Sequence, residues 1–147
     1  VLRWRPGNGY ETILQAENSP SLSPDGRWLL TRTLASVIHL RPYPELGAPI
    51  VVAARSGHAP LWSPDGKRIY YRDLEHMVGV DFQPGQPPKL GEPQILFADG
   101  YVAPDLWNRQ YALHPDGKRF LMVKKDPTAD VTSSLNLILN WPASLGR

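Results

Sequence analysis

Four histidines, His39, His58, His76 and His114, are the first residues to weigh for chemistry. No two of them stand at a metal-ligand spacing, and no carboxylate cluster accompanies them, so no metal site is assigned. There is no cysteine, which removes disulfides, thiolate catalysis and zinc–thiolate centres together. No Gly-x-Ser-x-Gly elbow occurs, and Ser56-Gly57-His58 reads as a loop. Gly7-Asn8-Gly9 lacks the helix start and the lysine of a phosphate-binding loop. Asp25, Asp65 and Asp116 recur at one position of a repeated phrase, and that recurrence marks a turn role. No catalytic residue and no cofactor are therefore assigned.

Binding is a different matter. Trp107 lies in a long linker with Tyr101, Asp105 and Arg109. An aromatic beside charges on an extended loop is a contact-site pattern. Arg72 and His76 flank a second, shorter loop of the same character. Trp28, Trp62 and Trp141 sit within or beside apolar runs and are assigned to packing.

The elements that must position these residues are organised by one phrase. It reads Ser23-Pro24-Asp25-Gly26, Ser63-Pro64-Asp65-Gly66 and His114-Pro115-Asp116-Gly117, with the prolines 40 and 51 residues apart. Each copy follows a short apolar stretch and precedes a basic residue and an apolar run. Pro24, Pro64 and Pro115 preset φ at the second position of a type I turn, and the aspartates tolerate the third. Gly26, Gly66 and Gly117 then take the left-handed conformation that closes a hairpin with a bulge.

Short apolar runs separated by Pro and Gly clusters predict strands, and no stretch holds a helical period. Strands are expected over 11–15, 27–33, 35–40, 48–54, 68–72, 76–82 and 93–98, with 42–44 breaking one of them. In the third unit they are expected over 120–124 and 135–141. A period of 40–50 residues with four strands per unit predicts propeller blades, with a β-sandwich as the alternative. The fold class is thus all-β: a partial β-propeller of about three to three and a half four-stranded antiparallel blades. It occupies residues 1–147 as a single domain: the end of a preceding blade at 1–18, blades at 19–56 and 57–100, and a last blade at 101–147.

The 147 residues carry 16 Pro and 12 Gly, placed as turn residues, and a net charge of +2. The pI near 9.0 would admit nucleic acid, but the Lys and Arg are scattered, so none is expected as a partner. No run approaches the roughly 18–20 apolar residues of a membrane span. The chain does not begin with Met, which raises the expectation that a longer reading frame precedes Val1.

At the repeated phrase the chain resembles the TolB-like, WD-like propeller repeat of bacteria (the PD40 type). The resemblance is nearest over residues 111–123 followed by Leu137-Ile138-Leu139-Asn140-Trp141, which look like the final blade of large bacterial multidomain proteins. His114 in place of serine, and Pro142 where an aromatic is common, depart from that pattern. The resemblance implies a non-catalytic binding or sensing module, the C-terminal portion of a signalling or regulatory protein linked to a kinase or a winged-helix domain. Its partners would be a protein or small ligand at a propeller face and the remaining blades of the parent. The rival it admits is the propeller of a prolyl-oligopeptidase-like hydrolase, gating substrate access. The resemblance leaves the compartment open.

Overall fold

The repeated turns set the strand order. A computed structural model describes residues 1–102 and 109–124; Asp105, Trp107 and the apolar run at 135–141 lie outside them. At the turns, Gly26, Gly66 and Gly117 have φ of +71°, +68° and +70°. In the first turn Gly26 donates its N–H to the Ser23 carbonyl at 2.9 Å. Ser23 Oγ donates to Asp25 Oδ1 (2.6 Å) and accepts the Trp28 N–H (2.9 Å), while Asp25 Oδ1 also accepts the Arg27 N–H (3.1 Å). The second turn repeats each of these bonds around Ser63, Asp65, Gly66, Lys67 and Arg68. In the third, His114 Nδ1 takes over as acceptor for the Asp116 N–H at 3.2 Å.

Strands β1 (Leu2–Arg5) and β2 (Gly9–Thr12) form a hairpin. Strands β3 (Glu17–Leu22), β4 (Trp28–Thr33), β5 (Ile38–Pro42) and β6 (Ile50–Ala53) form a four-stranded antiparallel sheet in sequence order. The second sheet repeats that plan with β7 (His58–Trp62), β8 (Arg68–Arg72) and β9 (His76–Gln83). Its outer position is divided between β10 (Lys89–Leu90) and β11 (Gln94–Ala98), both paired with β9. Strands β12 (Tyr111–Leu113) and β13 (Phe120–Met122) make a second hairpin. The described residues contain no helix, hence none long and apolar enough to cross a membrane. The fold is all-β, and no sheet among the described residues closes into a barrel.

Side-chain alternation along the strands stacks the sheets in series. Leu30, Ile38 and Leu40 of the first sheet meet Ile69, Tyr71, Val78, Val80 and Phe82 of the second in one core. The opposite face of the second sheet, through Tyr70 and Met77, packs on Tyr111 and Phe120 of the second hairpin. The turns stack in the same order. A Cβ on Gly66 would lie 3.5 Å from Pro24 Cδ, and one on Gly117 would lie 3.4 Å from Pro64 Cδ.

Three expectations need correction. Strand β9 alternates in sequence like a half-buried strand, yet Met77, Val78, Gly79 and Val80 are all buried, because both faces of its sheet are covered. Strand β5 starts at Ile38, since residues 34–36 are used in a turn closed by Ser36 N–H to the Thr33 carbonyl (3.0 Å). It also continues through Pro42. Pro42 faces Trp28 as a non-hydrogen-bonded pair, with the ladder bond made one residue on by Tyr43 N–H to the Arg27 carbonyl (2.7 Å), so the missing proline donor is not needed.

One repeated feature has no counterpart in the sequence reading. Ser19, Ala59 and Gln110 have φ of +50°, +51° and +59°, each four residues ahead of Ser23, Ser63 or His114. At Ser19 and Ala59 the register with the next strand slips, between Asn18 and Ser21 and between His58 and Leu61. Pro20 and Pro60 follow these bulges, on edge strands where a missing donor is tolerated. With the bulge, β3 runs from Glu17 to Leu22.

The bulge also brings Glu17 over the face of the first sheet that points away from the second. Arg41 donates Nη1 to Glu17 Oε2 (2.8 Å) and Nη2 to Oε1 (2.9 Å), Thr31 Oγ1 donates to Oε2, and His39 Nδ1 lies 3.1 Å from Oε1. Burial works to raise the Glu17 pKa, but the bonds from Arg41, Thr31 and His39 outweigh it and hold the carboxyl below its ordinary 4.5. A depressed folded value means this contribution to stability is complete above pH 4.5 and is lost as pH falls through the folded pKa. Melting temperature is therefore expected to drop on acidification between about pH 5 and 3, with part of that drop missing in Glu17→Gln. Parallel curves for the two proteins would refute this.

Candidate functional site

The loops that follow the third strand of each sheet lie side by side. Residues 43–49 join β5 to β6, and residues 84–88 join β9 to β10. Between them opens a groove of about 830 Å³, within the usual range of small-ligand sites. Its apolar floor is Trp28 and Ile50, and its walls carry Pro42, Pro44, Pro84, Pro87 and Pro88. Proline rings and buried strand ends keep such walls stiff, which lowers the ordering cost of binding. Trp28 is half-buried and held edge-on by Phe82, at 5.4 Å between ring centroids. Tyr43 forms one end, with the Arg3 guanidinium 5.9 Å above its ring. Arg27, Glu45 and Gln86 supply polar groups at the rim. The chemistry of this lining suits stacking and apolar contact.

A smaller cleft of about 390 Å³ separates the second and third turns. It mixes Lys67, Arg68 and Lys118 with Asp65, Asp81 and Asp116. Arg68 is already engaged there by Asp81 (2.7 Å) and by Gln94 (3.0 Å). The turn aspartates are occupied as well. The Ser23 and Ser63 hydroxyls, then the backbone N–H groups of Arg27 and Lys67, pull Asp25 and Asp65 below the ordinary carboxyl range. The Lys118 N–H, helped by Arg119 and His114, holds Asp116 at about 2. These carboxylates are acceptors in a fixed turn and are poorly suited to take up a proton near neutrality.

The sequence candidates fall elsewhere. Arg72 is not on an exposed loop: its side chain is 1% exposed and that of Asp99 is 3% exposed. The guanidinium donates Nε and Nη2 to the two Asp99 oxygens (2.5 and 2.6 Å) and Nη1 to the Val102 carbonyl (2.7 Å). Asp99 Oδ1 also accepts the Tyr101 N–H at 3.2 Å. Arg72 and Tyr101 are thus brought together, in a buried clip rather than a ligand surface. Tyr101 is 37% exposed, with its ring against Phe97. His76 is half-buried at the start of β9, with its N–H on Asp73 Oδ1. Arg109 is half-buried ahead of β12, and Asp105 and Trp107 lie outside the described residues. None of the described ones lines the groove. Sequence reasoning assigned its central residue, Trp28, to packing, and read Pro42 and Pro44 as strand breakers and 83–88 as a loop. The available signal was that both loops after a third strand are proline-rich. Among the described residues no three His, Asp or Glu side chains come together to hold a metal ion. In comparisons with known proteins the chain matches no family model, no curated protein and no solved structure.

Proposed function

We propose that this chain is a non-catalytic binding module of β-propeller type, with its ligand seated in the groove between successive blades. The observation that carries the reading is the groove itself: an aromatic floor, proline walls and a polar rim, set on loops of two stacked sheets. Several features support the blade architecture. Two sheets share one strand order, successive Pro-Asp-Gly turns rest on one another, and a left-handed residue recurs four positions ahead of each turn. Those features also support kinship with the TolB-like repeat that the sequence resembles. The mechanism is recognition: a rigid scaffold presents Trp28 to a flat or apolar group while Arg27, Glu45 and Gln86 read its polar edge.

The test is a protein-observed NMR screen, on the 15N-labelled chain, with a library of aromatic fragments. Binding is expected to perturb the Trp28 indole N–H. Ala48 is exposed at the groove wall, so Ala48→Trp should fill the groove without disturbing the core and weaken binding by about 10-fold or more. Fragments that bind equally well to Ala48→Trp, or that leave Trp28 unperturbed, would sink the proposal.

A further inference from the structure

The second sheet displays what a buried arginine at this point of the fold requires. Arg72 has a full set of acceptors: both oxygens of Asp99 and the Val102 carbonyl. Arg32 is its counterpart in the first sheet. It stands as far beyond Gly26 as Arg72 stands beyond Gly66, and it pairs with Ile38 as Arg72 pairs with Met77. It is 4% exposed. Its Nε donates to the Gly57 carbonyl (3.1 Å), and its Nη2 donates to Ser36 Oγ (2.7 Å).

The carboxylate is missing. Ala53 pairs with Ile38 as Phe97 pairs with Met77, so two residues further on it is Arg55 that stands where the second sheet has Asp99. Among the described residues no acidic side chain pairs with Arg32, and its Nη1 is enclosed without a partner. The next residue after Gly57 adds a second such atom: His58 Nδ1 is also enclosed and without a partner. Burial, then the charges of Arg32 and Arg72, disfavour protonation of His58, which leaves a neutral ring able to donate from Nδ1. A guanidinium withdrawn from water without a counter-charge is costly, and enclosed donors without acceptors are rare in folded proteins.

We propose that Arg32 and His58 form a site for a small oxyanion, a carboxylate or phosphate group, which does for Arg32 what Asp99 does for Arg72. The planar guanidinium favours an oxyanion over a spherical ion. Entry is over Ala54 and Arg55, both exposed, and Arg55 adds attraction at the mouth. This site is separate from the groove and does not depend on it.

The experiment is thermal unfolding of the chain with inorganic phosphate or acetate titrated against sodium chloride at equal ionic strength. Phosphate or acetate is expected to raise the melting temperature saturably, by about 3–5 °C, with no matching rise in chloride. A response to acetate as well as phosphate identifies a carboxylate-sized site; a response to phosphate alone identifies a phosphate site. Arg32→Met should remove the saturable part. Arg55→Asp supplies the carboxylate internally at the position of Asp99, so it should raise the melting temperature in chloride and abolish the oxyanion response. That second variant keeps the test decisive even where Arg32→Met fails to fold. An equal response in chloride, or an oxyanion response unchanged in Arg55→Asp, overturns the proposal.

Discussion

Replacing Asp99 with alanine is expected to destabilise the fold by about 3–5 kcal/mol, the range for removing one partner of a buried ion pair. The guanidinium of Arg72 would keep only the Val102 carbonyl while remaining out of water. Two further bonds tie the same segment to its surroundings: Asp99 N–H to the Glu75 carbonyl, and Val102 N–H to the Val123 carbonyl at 2.8 Å. Loss of the carboxylate therefore loosens the passage from the second sheet to the second hairpin as well as leaving a buried charge unpaired. Burial alone is not what makes the pair valuable. Arg72→Met combined with Asp99→Leu removes both charges and their desolvation, and should recover most of the loss. Urea denaturation of the wild type, Arg72→Met, Asp99→Leu and the double variant gives the coupling directly. A cost for Asp99→Ala within about 1 kcal/mol, as for an exposed pair, would refute the clip.

What could be read from the sequence was local. A Pro-Asp-Gly turn depends on the φ preferences of three adjacent residues, and a strand depends on a short run of β-branched and aromatic side chains. The all-β class and most strands follow from these. Where reading failed, the deciding partner was distant in the chain. Arg72 looks like a surface loop residue until Asp99 is placed beside it. Pro42 looks like a strand breaker until its pairing with Trp28 proves to be of the kind that needs no donor. Ser19, Ala59 and Gln110 share no side-chain property that predicts a left-handed backbone; the bulge is imposed by the pairing of the inner strand with its neighbour. The groove was invisible for the same reason. Its two proline-rich loops lie about one repeat apart in sequence and become one site only when the sheets stack.

Trp62 is the residue on which that stacking should depend most. It is 5% exposed at the end of β7, and its Nε1–H crosses to the first sheet, donating to the Ser21 carbonyl at 3.2 Å. Its ring lies edge-on to Phe82, centroids 5.0 Å apart. Trp62→Ala empties an indole-sized space, for which a loss of about 3–5 kcal/mol is expected, and it removes the bond to the Ser21 carbonyl. Trp62→Phe keeps a ring against Phe82 and removes the bond, so about 1–2 kcal/mol should be lost. The pair of variants separates packing from hydrogen bonding by chemical denaturation. The consequence for binding follows through Phe82, which is gripped by Trp62 on one side and Trp28 on the other. Weakening one contact lets the other drift, so Trp62→Phe should shift the Trp28 indole resonance and weaken fragment binding in the groove several-fold while the protein stays folded. An unchanged Trp28 resonance in Trp62→Phe would mean that the groove floor is set by its own loops and not by the junction between the sheets.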